Sequence, residues 1–240
     1  MKNIPSIFAR EIKTYFVSPI AYVALIVFIL LTGYFFAAYF NWASRYQGEA
    51  NMRVLFHNMS ITMLFLSPLI TMRLFAEEKR SGTIEIMMTS SVTDTEIVIG
   101  KFAASAVLFL MMLALTSLCP IFLMAYGTPD VAPIAVGYLG LFLLGATFLS
   151  LGVVTSSLTK NQIVAALISF VMLLGLWVIG WMSNAVGSQF GKVLSFISLV
   201  DHFDDFSKGI LDTKHVIYYV SFASFCLFFA IKLVQSAKWK

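Results

Sequence analysis

Charge is scarce in this sequence. Aspartate, glutamate, lysine and arginine together make up 12% of its 240 residues, while 60% are hydrophobic. A typical soluble domain is about 25% charged, and at this size a fold in water cannot hide so much apolar surface. A mean hydropathy of +0.89 points the same way, to lipid as the solvent. Cysteine is scarcer still. Cys119 and Cys226 stand alone inside apolar runs, which excludes a disulfide framework and a CxxC redox or metal motif. No GxxxxGK[ST] stretch occurs: Gly100-Lys101 is followed by Phe102 and lacks the earlier glycine. If ATP drives this protein, another chain binds it. HExxH and GxSxG are also missing, so an intramembrane hydrolase has no visible base or nucleophile. His57, His202 and His215 lie far apart without metal-ligand spacing, and no joint metal site is expected.

What is present is long apolar runs. A helix needs roughly 20 apolar residues to cross the hydrocarbon, and six segments qualify: Ile20–Phe40, Ser60–Phe75, Phe102–Tyr126, Ile134–Leu158, Ile163–Met182 and Val216–Val234. The second is the shortest and has room to start earlier, near Val54. Ser18-Pro19 places an N-cap and a first-turn proline before the first span, Pro133 opens the fourth, and Asn161 can cap the fifth. The first span starts too late and runs too long for a cleaved leader, so the N-terminal segment is expected to be retained. The span interiors offer hydroxyls such as Thr32, Thr62, Thr116 and Thr147 but almost no ionisable group. Proton-coupled carriers and charged-filter channels place such groups at mid-membrane, and that composition argues against both. The hydroxyls read as helix-packing contacts.

The net charge of +4 reflects topology rather than nucleic acid. With both termini inside, eleven of the sixteen lysines and arginines fall on the inner side. Arg45, Arg53, Lys192, Lys208 and Lys214 fall outside. In "NIPSIFAREIKTYF", Ile4, Ile7, Phe8, Ile12, Tyr15 and Phe16 recur at helical spacing, with Ser6, Arg10 and Lys13 facing away. That pattern predicts an amphipathic helix over residues 1–18 lying in the inner interface, besides its role as a positive-inside anchor.

The most polar long stretch lies between spans two and three, residues 76–101. Arg73 with Glu77, and Glu77 with Arg80, have the spacing to pair along a helix that runs on past the membrane. Ser81-Gly82 breaks it. A short helix over Thr83–Thr89 follows, with Glu85 near its positive end and Ile84, Met87 and Met88 on one face. Thr93 with Glu96 fits a capping box, and Val92 with Ile97 a hydrophobic staple, so a new helix starts at Asp94. The Met-bearing face suits either a lipid-resting loop or a docking element for a cytoplasmic partner. On the far side, Phe190, Val193, Leu194 and Ile197 recur at i, i+3, i+4 and i+7 within residues 184–214. They precede Asp201, Asp204, Asp205 and Asp212, interleaved with Phe203 and Phe206. Such a cluster offers oxygen ligands to a divalent cation, but a solvated acidic cap is the preferred reading.

"RLFAEEKRSGTIEIMMTSSVTDTEIVIGK", Arg73 to Lys101, resembles the segment between the second and third spans of ABC-2-type transporter permeases. There a basic residue, an AEE+R.GT pattern, a short helix and a V.GK ending recur. Here these are Arg73, Ala76–Arg80, Gly82-Thr83, Glu85–Thr89 and Val98–Lys101. "HFDDFSKGILDTKHVIYY", His202 to Tyr219, resembles the stretch before the last span in the subgroup containing the gliding-motility and nitrous-oxide-reductase maturation permeases. The chain departs from larger relatives in having no big outer domain. The resemblance implies an all-α membrane protein, a single transmembrane domain over 1–240, in a bacterial inner membrane with both termini cytoplasmic. It implies a permease half that pairs with a second permease, homo- or heterodimeric, and with two ATP-binding subunits. An outer-domain accessory protein would be a further partner, and nucleic acid none.

The same resemblance implies that the chain binds no cofactor and catalyses nothing, ATP and Mg residing on the partner. Gly82, Thr83, Ile84, Glu85, Met87 and Met88 would form the coupling helix seated in the ATPase, with Arg73, Glu77, Glu78 and Arg80 as supporting polar contacts. Phe8, Arg10, Ile12 and Lys13 would belong to an elbow helix that also meets the ATPase. Phe190, Leu194, His202, Phe203, Asp204 and Phe206 would line re-entrant outer helices that close the pathway. An ATP-driven exporter is the leading expectation. A membrane scaffold that passes ATPase motion to an outer protein without moving a substrate is the alternative.

Overall fold

Local sequence signals set the helix ends, and pairings between distant segments set the bends. The computed structural model describes residues 3–46, 52–83, 92–126, 129–185, 191 and 195–237. All regular structure among them is helical: α1 (Ile4–Val17), α2 (Pro19–Tyr46), α3 (Arg53–Thr71), α4 (Arg73–Ser81), α5 (Asp94–Thr116), α6 (Leu118–Tyr126), α7 (Val131–Leu158), α8 (Gln162–Ala185), α9 (Leu199–Ser207) and α10 (Thr213–Ala237). Six units are long and apolar enough to cross a membrane: Pro19–Ala43, Arg53–Ser81, Asp94–Tyr126, Val131–Leu158, Gln162–Met182 and Thr213–Ser236.

The span helices reach beyond the apolar cores read from the sequence, and at three of them a local reason is plain. The second span begins at Arg53, because Leu55, Phe56 and Met59 are buried on one side while His57 and Asn58 dilute the hydropathy between them. The third begins at Asp94, on the capping box. The fourth begins at Val131, which leaves Pro133 in the first turn rather than at its start. Ser18 ends α1 in extended backbone (φ −87°, ψ 132°) and accepts the Ile20 N–H at 3.3 Å, which turns the chain into α2. Asn161 accepts from the Ile163 N–H at 2.9 Å and caps α8.

Two spans bend. At Met72 the second span divides into α3 and α4. Ser156 of α7 fills the bend. Its hydroxyl donates to the Met72 carbonyl at 2.9 Å and accepts the Phe75 and Ala76 N–H groups at 3.0 and 3.2 Å. The third span divides at Ser117, ahead of Pro120. The Thr116 carbonyl, which Pro120 cannot serve, takes the Tyr138 hydroxyl at 3.0 Å.

The centre of the bundle is α7. α3, α5, α8, α9 and α10 all pack on it. Its small residues make this possible. A Cβ at Gly145 would lie 2.1 Å from the Phe109 ring of α5, and one at Gly137 2.2 Å from the Phe56 ring of α3. The second span is the most enclosed, whereas α2, α8 and α10 are mostly exposed along their apolar windows, as lipid-facing helices would be. Leu30, Tyr34 and Trp42 of α2 and Phe225 and Phe228 of α10 project from those faces.

Replacing Ser156 with alanine removes three hydrogen bonds at the Met72 bend and leaves buried backbone groups unpaired. The expected loss is about 1–3 kcal/mol, read as a lowered unfolding temperature of the purified protein in detergent. An unchanged unfolding temperature would show that the bend holds without Ser156.

Candidate functional site

At one end of the bundle, three helices that are distant in sequence meet around a single lysine. Thr93 and Glu96 form the capping box that starts α5: the Glu96 N–H donates to Thr93 Oγ1 at 3.3 Å, and the Thr93 N–H to Glu96 Oε2 at 3.1 Å. Glu96 Oε1 also accepts the Asn3 N–H at 3.4 Å, so one carboxylate serves the first turns of α5 and α1 together. One turn further along α5, Gly100 leaves room for Ile7, whose Cγ2 lies 2.8 Å from where a Cβ would sit. α1 therefore lies on α5, not only on lipid. The next residue is Lys101.

Lys101 is 1% exposed and carries its ammonium into the seam between α1, α4 and α5. Its Nζ lies 3.0 Å from Glu11 Oε1, 2.9 Å from Glu78 Oε1 and 5.3 Å from the Phe75 ring centre. Arg10 closes the circuit, 2.9 Å from Glu11 and 3.1 Å from Glu78. Two cations and two carboxylates balance. A buried charge is tolerated only when paired and hydrogen-bonded, and this closed set meets that condition for Lys101. Beside it is a cleft of about 220 Å³ lined by Arg10, Glu11, Thr14, Glu77, Glu78 and Thr83, among others.

This arrangement corrects the expected face of α1. The inward stripe is Ile7, Glu11 and Tyr15, with Phe8 and Ile12 half-buried and Phe16 turned out to 40% exposure. An acidic residue sits at the middle of the buried stripe because Lys101 needs it. Arg10 and Lys13 are exposed, as the pattern predicted. Tyr15 donates its hydroxyl to the Ile70 carbonyl at 3.0 Å. Burial, reinforced by the Glu11 charge, pushes that hydroxyl's pKa far up, so it stays a neutral donor.

The stem α4 carries the remaining candidates. Arg73 and Glu77 pair at 2.9 Å, and Arg73 also donates to the Ser18 hydroxyl at the α1–α2 corner. Glu77 thus turns back to Arg73 rather than forward to Arg80, which is exposed. Glu78, expected as a supporting polar contact, points inward to Lys101 and Arg10. Lys79 donates to the Ser157 carbonyl at 2.5 Å, tying α4 to the end of α7. The break falls where the sequence put it: Gly82 has φ +72°, a left-handed conformation that glycine alone adopts freely. Gly82 and Thr83 are exposed. Ile84, Glu85, Met87 and Met88 lie outside the described residues, so the stem is defined up to the point where the expected short helix would begin.

The opposite end holds the second group of candidates. Phe190, Val193 and Leu194 lie outside the described residues. Phe203 and Phe206 of α9 are buried, and Phe206 lies over Gly140 of α7, where an added Cβ would be 2.3 Å from the Phe206 Cβ. Ser198 caps α9 by accepting the Asp201 N–H at 3.2 Å. Asp204 meets Arg53 at 2.8 Å and Lys208 at 2.6 Å. Partial burial pushes its carboxyl pKa up, but these two cations outweigh it and hold Asp204 below the ordinary carboxylate value. Asp212 pairs with Lys214 at 2.9 Å, and Asp205 with His215 at 2.9 Å. Asp204, Asp205 and Asp212 are thus each matched to a cationic or N–H-bearing side chain. Among the described residues no group of three or more His, Cys, Asp or Glu is arranged to hold a metal ion. His202 and His215, widely separated in sequence, do meet: their Nδ1 atoms are 2.6 Å apart. His57 stays apart, beside Trp177.

Lys101 and Glu11 as partners escaped sequence reading, as did the His202–His215 contact. The available signals were a lysine about two turns past a cap inside an apolar helix, and a glutamate at i+4 from Ile7 and i−4 from Tyr15. Neither signal names its partner.

Compared with known protein families, residues 37–231 match the model described as ABC-2 family transporter protein. Among curated proteins no match is found.

Replacing Lys101 with methionine strands two carboxylates beside an apolar seam. The expected loss of stability is about 3–5 kcal/mol. The triple change Lys101→Met, Glu11→Gln and Glu78→Gln removes the charges together and should recover most of it. Thermal unfolding of both variants in detergent checks this; equal losses in the two would mean that charge pairing is not what holds the seam.

Proposed function

We propose what this chain does from one premise: it belongs to the ABC-2 transporter family. It is a multi-pass membrane protein and a permease subunit of an ABC transporter. In the fuller reading it sits in a bacterial inner membrane with both termini cytoplasmic, and a separate ATP-binding subunit supplies the hydrolysis that drives export. The subgroup of the gliding-motility and nitrous-oxide-reductase maturation permeases is proposed from the His202–Tyr219 segment. So are a second permease, two copies of the ATP-binding subunit and an outer-domain accessory protein.

The observation that carries this reading is the junction at Lys101. The stem α4 leads directly into residues 84–91. Lys101 and Arg10 bind that stem to α1 and to the start of α5. Ser156 and Lys79 bind it to the end of α7. A push on residues 84–91 would therefore move α1, α4 and α5 as one body, and would reach the enclosed second span through the Met72 bend. That is the mechanical requirement of a permease driven by an ATPase outside the membrane. In the same reading Met87 and Met88 seat in the ATPase, Glu85 flanks them, and the exposed faces of Arg80 and Lys13 border the contact.

Two measurements test it. The chain should co-purify with a P-loop ATPase, and Met87→Asp or Met88→Asp should abolish that association while membrane insertion persists. Retained association would remove this docking face. The triple neutral variant at Lys101, Glu11 and Glu78 should keep the ATPase bound but lower permease-dependent stimulation of ATP hydrolysis by at least about fivefold. Unchanged stimulation would show that the junction transmits nothing. ATP-dependent movement of substrate into inverted vesicles would distinguish an exporter from a mechanical coupler, which would remodel an outer protein with no movement of substrate.

A further inference from the structure

The end of the bundle remote from Lys101 holds a pair of histidines whose hydrogen bonds require one proton between them. His202 on α9 and His215 on α10 are 8% and 4% exposed. Each has its outer nitrogen committed. His202 Nε2 lies 3.1 Å from the Phe196 carbonyl, and His215 Nε2 lies 2.9 Å from Asp205 Oδ2. A carbonyl and a carboxylate only accept, so both Nε2 atoms carry hydrogen. With both rings neutral, each Nδ1 would then be a bare lone pair, and the two face each other at 2.6 Å. Two lone pairs repel at that distance. One proton turns the contact into a short hydrogen bond, with an imidazolium balanced by the Asp205 carboxylate. A second proton would set two N–H groups against each other and force the rings apart. Two imidazoles on a shared tetrahedral metal, with bonds of about 2.0–2.1 Å, would stand farther apart than 2.6 Å, so a proton fits the gap and a metal does not.

The surroundings show what the contact holds. α9 packs on α7, α8 and α3. It reaches α10 through the His pair, the Asp205–His215 bond and the Tyr219 hydroxyl, which donates to the Leu199 carbonyl at 2.6 Å. The Tyr218 ring stacks on His202 with centroids 4.0 Å apart. The charged groups near the pair are Asp201, Asp204, Asp205 and Lys208 at α9, Asp212 and Lys214 at the start of α10, and Arg53 of α3, which is directed at Asp204. α7 and α8 contain no Asp, Glu, Lys, Arg or His. Tyr218 and Tyr219 of α10 also lie beside the pair.

We infer that His202 and His215 form a single-proton latch that fastens α9 to α10, closed with one proton shared and opened by a second. Burial, together with the neighbouring His215, holds His202 below the ordinary histidine pKa of 6.5, though the Phe196 carbonyl pulls the other way. The sign follows. Below pH 6.5 an unlatched His202 binds a proton that the latched form resists, so closure is favoured at neutral pH and is lost as pH falls through the depressed value. Asp204 and Asp212 are held below the ordinary carboxylate range and stay ionised through this window. In the orientation proposed above, the latch would report the pH of the outer compartment.

Hydrogen exchange across Leu199–Ser207 in the full-length protein in nanodiscs, corrected for intrinsic chemical exchange, tests the latch. Protection should fall about tenfold between pH 7.5 and 5.0. His202→Asn puts an amide oxygen near the Nδ1 position, still able to accept from His215. It should keep protection at pH 7.5 and lose the acid response. Asp205→Asn retains an acceptor but not the charge that balances the imidazolium, so its protection at pH 7.5 should fall below that of the wild type. Constant wild-type protection from pH 7.5 to 5.0 would overturn the latch, as would an unaltered acid response in His202→Asn. Loss of protection with EDTA at pH 7.5, restored by zinc, would overturn it in favour of a shared metal.

Discussion

A lysine ammonium cannot stay inside an apolar seam alone, and the end of the bundle that bears the chain's N-terminal helix is organised by that constraint. Lys101 belongs to a span-length helix and is almost wholly enclosed. It draws in Glu11 and Glu78, which come from segments 90 and 23 positions earlier in the chain. Their attraction fixes the roll of α1, so that its inward stripe carries a carboxylate between Ile7 and Tyr15. It also fixes the direction of α4. Removing one member would strand the others, so the three helices lose stability together when the set is broken.

The opposite end uses a different device. α9 is a nine-residue helix, too short to be stable by itself. It is held by Phe203 and Phe206 set into the bundle and by polar bonds to its neighbours. The two ends are joined by the second span, 29 residues from Arg53 at α9 to Ser81 at the stem. At 1.5 Å per residue that is about 43 Å. Its bend at Met72 is filled by the Ser156 hydroxyl rather than left to flex. Motion at the stem would therefore be carried along a continuous, enclosed element, which is what a permease needs if its driving subunit lies on one side of the membrane.

Much of the local architecture was legible. Apolar runs located the spans, because a helix in lipid must satisfy its own backbone over a set length. The Thr93–Glu96 box, the Gly82 break and the Asn161 cap were legible because each depends on residues within a few positions of one another. Spacing read Arg73 with Glu77 correctly for the same reason. It could not choose between Arg73 and Arg80 for Glu77, nor see that Glu78 faces inward. An i, i+4 rule counts neighbours on one helix and is silent about the next helix.

The sequence by itself determined that this chain lives in lipid, how many times it can cross, and which residues cap or break its helices at Gly82, Thr93 and Asn161, since hydropathy and caps are short-range properties. Only the tertiary structure decided which buried charges face each other, which hydroxyl fills the Met72 bend, and that His202 meets His215 nose to nose. Those pairings depend on the roll and register of helices that share no local sequence signal, and a few ångströms of roll separate a neutral, hydrogen-bonded cluster from isolated charges in an apolar seam.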